Sequence, residues 1–186
     1  PVGIVAAGTV AAGSTVAISG TPDLLGLLAT PVADSSVGPQ GASRDGRFVA
    51  FTSAADGLSP EDDDGVTNVY VKDTATGAVT LASRADGAAG EPAHQDCSDA
   101  ALSANGARVA FVCDGPLAPA DANAHEDVYL RDLGTGRTDL VSRATGLGAT
   151  GDSSSLEPAI DATGSHVAFA SFASNLTPVA LPGSKR

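Results

Sequence analysis

Apolar residues in this chain come in short consecutive runs, separated by stretches rich in Gly, Pro, Asp and Asn. "FVAF" begins at Phe48, "VYV" at Val69, "VAFV" at Val109 and "VAFA" at Val167. Runs of this length suit β-strands, and no stretch shows the helical period with its caps. A sheet with one wet face alternates apolar and polar positions. Consecutive apolar positions therefore predict strands covered on both faces.

The runs also repeat. "DGRFVAFTSAADGLSP" from Asp45 is echoed by "NGARVAFVCDGPLAP" from Asn105 and "TGSHVAFASFASNLTP" from Thr163. Val49-Ala50-Phe51 returns at Val109 and Val167, at offsets of 60 and 58, and Pro60, Pro119 and Pro178 are 59 apart. Val69-Tyr70-Val71 returns as Val128-Tyr129-Leu130, offset 59. Asp73, Gly77, Ser83 and Arg84 return at the same offset as Asp132, Gly136, Ser142 and Arg143. Self-similarity at such a period marks a repeat architecture. Each repeat holds four strand candidates, which in the middle copy are 100–103, Arg108–Cys113, Asp127–Asp132 and 137–143. Asn105-Gly106 and Asp45-Gly46 suit the hairpin between the first two strands, and Thr135-Gly136 and Thr76-Gly77 the hairpin between the last two.

Repeated four-stranded antiparallel sheets covered on both faces predict an all-β fold, a β-propeller. The chain reads as one unit, 1–186, holding about three blade equivalents. Residues 1–41 form a degenerate half-blade plus connection, 42–99 and 100–158 are whole repeats, and 159–186 is a partial one. In the first part "GSTVAIS" from Gly13 aligns with "GRTDLVS" from Gly136. That alignment makes 2–10 and 15–19 the third and fourth strands of a blade, and 20–38 a long connection.

"SRDGRFVAFTSAADGLSP" from Ser43 and "DDDGVTNVYVKDTATG" from Asp62 resemble the TolB-like (WD-repeat-like) β-propeller repeat of bacterial proteins. So do "DVYLRDLGTGRTDLVS" from Asp127 and "SFASNLTP" from Ser171. The resemblance covers residues 40–178. It implies four-stranded blades, commonly about six to a ring. It also implies an exported protein, whether secreted, periplasmic or on the cell surface. Such propellers serve as protein-interaction modules or stand beside a catalytic domain.

With 186 residues the chain suits one domain with a real core. Its 10 basic and 22 acidic residues give a net charge of −12. That balance argues against nucleic acid and anionic membrane surfaces as partners. It leaves basic proteins, cations and neutral ligands, and it favours solubility. The absence of Met makes Pro1 the start of a mature product or of an excised piece. The uncharged stretch 2–20 is broken by Gly, Ser and Thr, so no membrane insertion is expected. Packing between blades accounts for all seven aromatics, leaving none for a stacking platform.

The long connections 53–68, 84–98, 114–126 and 143–157 share one end of such a fold and hold Asp56, Glu61, Asp62, Asp63, Asp64, Asp86, Glu91, Asp96, Asp114, Asp121, Glu126, Asp152 and Glu157. One acidic end is expected there. Within it "DDDGVTN" from Asp62 is repeated as "DANAHED" from Asp121. Asp62, Asp64 and Asn68, and likewise Asp121, Asn123 and Asp127, place oxygens at a spacing that a hard cation such as calcium can use. The competing reading is that these side chains cap their own loop backbone.

Catalytic signatures are incomplete. "GLGATG" from Gly146 opens no helix, "GDSSS" from Gly151 lacks the G-x-S-x-G elbow, and His94, His125 and His166 have no motif partners. No nucleophile–base–orienter set can be assembled. The sequon Asn175-Leu176-Thr177 reads as incidental in a bacterial-type repeat. Cys97 and Cys113 are centred on the Asn105-Gly106 turn, so they face each other across two strands and predict a disulfide and an oxidising compartment. The same slot sets Ser155 opposite Ser171, and Val37 opposite Ser53.

Together these features predict a noncatalytic module that binds a protein or other ligand on its acidic end, its six-bladed ring completed by a homodimer or, in the competing reading, by blades of a longer parent chain. One alternative is a propeller segment of a larger enzyme whose catalytic residues lie outside this chain. Another is a calcium-stabilised structural or surface protein.

Overall fold

A computed structural model describes residues 21–22, 28–29, 34–62, 64–145 and 148–177. Its strands are β1 (Thr21–Pro22), β2 (Leu28–Ala29), β3 (Ser35–Ser36), β4 (Phe48–Ser53), β5 (Asn68–Asp73) and β6 (Val79–Leu81). They continue with β7 (Cys97–Leu102), β8 (Arg108–Cys113), β9 (Asp127–Asp132), β10 (Arg137–Leu140), β11 (Ser155–Ile160) and β12 (Val167–Ser171). Among the described residues there is no helix.

β3-β4-β5-β6 and β7-β8-β9-β10 are antiparallel four-stranded sheets, each in chain order, and β11-β12 is a two-stranded one. The two full sheets have the form expected of blades. A small hairpin, β1-β2, and strand β3 occupy the stretch expected as a plain connection. The strands expected at 2–10 and 15–19 lie outside the described residues.

β8 and β9 match their predicted bounds, whereas β7 starts earlier, at Cys97, and β10 ends at Leu140. Cys97 pairs with Cys113 and Ser155 with Ser171, as the turn-centred count expects. Val37 does not face Ser53; Ser35 does. The reason is an insertion. Five residues separate Ser36 from Ala42, the partner of Val49, whereas three separate Ser98 from Leu102, the partner of Val109. The extra residues turn back on themselves, Gly41 N–H donating to the Gly38 carbonyl at 3.0 Å.

The core lies within and between the sheets. Ala50, Val71, Leu102, Val109, Phe111 and Tyr129 share one cluster, which joins the first full sheet to the second. Ala101, Ala110 and Ile160 join the second to β11. Phe51 stacks on Tyr70 at 5.5 Å between centroids, and Phe111 on Tyr129 at 6.1 Å. Burial on both sides is why these strands are apolar at consecutive positions. Phe172 departs from the expected packing and is 77% exposed.

Successive sheets meet through the same contacts. Arg44 N–H donates to the Ala104 carbonyl at 2.8 Å, and Ala104 N–H to that of Ala162 at 3.1 Å. Cys97 N–H donates to Thr67 at 2.7 Å, and Ser155 N–H to Glu126 at 2.8 Å. Gly106, at φ 70°, sits so close to Phe48 that a Cβ there would lie 2.3 Å from the ring. A turn with positive φ and a close neighbour both require glycine at that position.

Candidate functional site

β4, β8 and β12 end, and β7 and β11 begin, at the same end of the molecule, where the long loops gather. The buried lining of these loops is built twice. In the first full sheet Asn68 donates from Nδ2 to Asp62 at 3.1 Å, and the Tyr70 hydroxyl donates to the other Asp62 oxygen. Ser83 donates to Asn68 Oδ1 and accepts from Val69 N–H at 2.9 Å. In the second sheet Asp127 stands where Asn68 does. It accepts from Ser142 on one oxygen and from Asn123 Nδ2, at 2.7 Å, on the other. The Tyr129 hydroxyl donates to Asp121 and accepts from Leu117 N–H at 3.2 Å, while Val128 N–H donates to Ser142 at 2.9 Å.

The expected ligand residues are brought together in part, with Asn68 and Asn123 meeting the carboxyls through Nδ2 while their oxygens accept from Ser83 and from His125 N–H. Asp62 and Asn68 meet, as do Asn123 and Asp127 with Asp121 beside them. Asp64 points elsewhere, pairing with His94 at 3.2 Å. Among the described residues no group of three or more His, Cys, Asp or Glu side chains is placed to hold a metal ion. Asp62 and Asp121 are turned inward, buried against their own strands rather than lying on the acidic surface. The tyrosines and serines of these networks were missed by sequence reading, although all four repeat at the same offset as the carboxamide–acid slot.

Electrostatics distinguish the two copies. Burial pushes the Asp127 carboxyl above its ordinary range, against the bonds from Ser142 and Asn123, and the neighbouring Asp121 carboxyl adds to the rise. Burial, then Asp121, likewise pushes the Tyr129 hydroxyl up.

The outer surface of this end carries Asp96, from the connection before β7, and Asp114 and Glu126, from the two ends of the connection between β8 and β9. Asp114 N–H donates to the Asp96 carbonyl at 3.0 Å, and Thr67 N–H to its carboxylate at 2.7 Å. Burial, then the like charges of Glu126 and Asp96, hold the Asp114 carboxyl above the usual range. Asp56 and Glu91 are exposed on the connections 53–68 and 84–98, Glu61 pairs with Arg84 at 2.9 Å, and Asp63 lies outside the described residues. Asp86 leaves the acidic end: it accepts from Thr138 N–H at 3.1 Å, against the next sheet's outer strand. Asp152 accepts from Ser174, and Asn175 of the sequon donates to the Thr150 carbonyl at 2.8 Å, which gives that residue a structural task.

Two further features were not visible in sequence. Asp99 and Glu157 occupy equivalent bulges at φ 52° and 54°, at the edge of a cavity of 440 Å³ also lined by Pro39, Gln40, Ala100 and Pro158. Arg131 is buried and donates to the carbonyls of Arg84, Ala85 and Gly87, at 3.4, 2.9 and 3.1 Å, and to the Thr138 hydroxyl at 2.7 Å.

No protein-family model matches this chain. No curated protein matches it either. Among solved structures it is similar to TolB from Acinetobacter baumannii, at 19% identity and a TM-score of 0.42, over 72% of this chain and 25% of that one. The chain therefore spans about a quarter of that protein's length. Among the described residues no helix is long and apolar enough to cross a membrane.

Proposed function

We propose that this chain is a noncatalytic binding module of an exported protein, and that its long-loop end receives a basic segment of another protein. The observation that carries this reading is the gathering of Asp96 and Glu126 around Asp114, whose N–H bonds the Asp96 carbonyl and whose carboxyl feels both like charges. Like charges so placed raise the local potential for a cationic partner and speed its encounter. The strand scaffold beneath them is hydrogen-bonded throughout, which suits loops that carry a binding site. The buried disulfide Cys97–Cys113 supports an oxidising, extracytoplasmic setting.

The test is anisotropy of a fluorescein-labelled oligolysine peptide. Binding should weaken steadily with salt, and the D96N/D114N/E126Q variant should bind about tenfold less tightly. Equal affinity of variant and parent would remove this surface as the site. Asp96→Asn keeps an oxygen for Thr67 N–H, so the loop should hold its shape.

A second reading, calcium held by Asp121, Asn123 and Asp127, is favoured by the Asp121 carboxyl lying beside that of Asp127, and it requires Asn123 to turn its oxygen inward from the His125 N–H that it now caps. In that reading the ion ties the loop to β9. Melting in calcium and in chelator tests it.

A further inference from the structure

The contacts between successive sheets repeat, and the repetition says what fits the last of them. In the first junction Arg44 N–H meets the Ala104 carbonyl and Gly106 rests on Phe48. In the second, Ala104 N–H meets the Ala162 carbonyl, and Gly164 rests on the Arg108 side chain, whose Nη1 donates to the Gly164 carbonyl at 3.0 Å. Each junction joins the face that one sheet turns toward the next sheet in chain order, its forward face, to the opposite, rear face of that next sheet. The forward face of β11-β12 carries the same groups again: Ala162 N–H at the Arg44 and Ala104 slot, and His166 at the Phe48 and Arg108 slot. The rear face of β3-β4 carries the matching acceptor and glycine, the Arg44 carbonyl and Gly46.

Exposure follows the same pattern. Ala168 is exposed where Ala50 and Ala110 are fully buried, and the His166 side chain is 87% exposed. Gly106 and Gly164 are buried in their junctions, whereas Gly46 is only half-buried.

From this we infer that the forward face of β11-β12 takes the rear face of β3-β4 from a second copy of the chain. Ala162 N–H then donates to the partner's Arg44 carbonyl, and the partner's Gly46 lies over His166. Such a contact joins unlike faces, so two copies satisfy it fully only by closing on each other. The inference rests on the ring-forming reading of the repeat and not on the acidic surface. Loss of peptide binding therefore leaves it intact, and the reverse also holds.

Ala162 is the second residue of the turn closed by Gly164 N–H to the Asp161 carbonyl at 3.0 Å, a position that favours proline. Ala162→Pro thus deletes the donor while suiting the turn. Sedimentation equilibrium across concentration should give twice the chain mass for the parent and about tenfold weaker association for A162P, the value of one backbone hydrogen bond at each of two junctions. The paired variant R44C/A162C should cross-link between copies on mild oxidation. Within one chain Ala104 stands between these two residues, so an internal bond cannot replace the intermolecular one. A parent that sediments as a monomer with a cooperative melt would overturn the inference. So would a dimer that R44C/A162C fails to cross-link.

Discussion

At the scale of single residues, the cysteines show how a slot can be filled in two ways. Ser35 donates to Ser53 at 3.0 Å, and Ser155 and Ser171 share a hydrogen bond of 2.9 Å. Cys97–Cys113 is the same cross-strand pair with a covalent bond in place of the hydroxyl bond. The fold therefore does not need the disulfide to define this position. Closing a loop with a sequence separation of 16 should contribute about 3 kcal/mol through the unfolded chain, and a buried hydroxyl pair restores about 1. The double variant C97S/C113S should melt cooperatively at a lower temperature, about 2 kcal/mol less stable. Cys97→Ser alone should do no better, because it leaves a buried thiol opposite the new hydroxyl. A double variant that fails to fold would show that the slot depends on the bond.

At the scale of elements, the two buried networks differ at two slots: Asn68 is matched by Asp127, and Asp64, which turns to His94, by Asn123, which bonds to Asp127. Asn68 can donate to Asp62, whereas Asp127 can do the same for Asp121 only when protonated. Its carboxyl is held above the unfolded value, chiefly by burial. The native state therefore binds the extra proton. Between the ordinary carboxylate range and the raised value stability falls as pH rises, and above it the full cost remains. Asp127→Asn should remove that cost. Asn123 keeps its second acceptor, the Gly151 carbonyl at 3.0 Å. The variant should match the parent in melting near pH 3.5 and exceed it by about 1 kcal/mol at pH 7. If calcium bridges these side chains instead, the parent should melt lower in chelator and Asp127→Asn should melt lower in calcium.

The strands of both sheets other than β3, their turns and the disulfide were legible in the sequence because each is local, repeated or centred on a turn: an apolar run, a glycine at a hairpin, an offset of 59, two cysteines equidistant from Asn105. The pairing of Ser35 was not, because an insertion breaks the count from the turn. Nor was the inward turn of Asp62 and Asp121. A carboxylate in a loop reads as solvated, and the buried Tyr70 and Tyr129 hydroxyls, with Asn68 Nδ2 on Asp62 and Asn123 N–H on Asp121, explain why it is not.

At the scale of the whole molecule, the sheets are held side by side by backbone bonds and by side chains that reach across, Arg108 and Arg131 among them. Arg131 belongs to β9, yet three of its acceptors are carbonyls of the loop leaving the preceding sheet, Arg84, Ala85 and Gly87. Asp86 and Gly87 are drawn onto β10 and its turn, with Thr138 N–H on the Asp86 carboxylate and Gly87 N–H on the Gly136 carbonyl. Burial, with Arg84 nearby, depresses the Arg131 guanidinium's proton affinity, but a guanidinium stays charged under all ordinary conditions. Its charge is met by carbonyl dipoles and by the nearby Asp86 carboxylate, and losing its donors leaves the Ala85 and Gly87 carbonyls without these bonds, while the Arg84 carbonyl keeps the one from the Thr138 hydroxyl. Arg131→Met fills the space and removes all four bonds. It should cost about 3 kcal/mol, while Arg131→Lys, with one compact head in place of the planar fork, should cost about 2. Because the junction is also held by Arg44 and Cys97 N–H and by the shared apolar cluster, denaturant melts of both variants should remain single transitions with unchanged slope. A split into two transitions would mean that Arg131 alone couples the sheets. An unshifted midpoint would mean that the loop finds its acceptors and donors elsewhere.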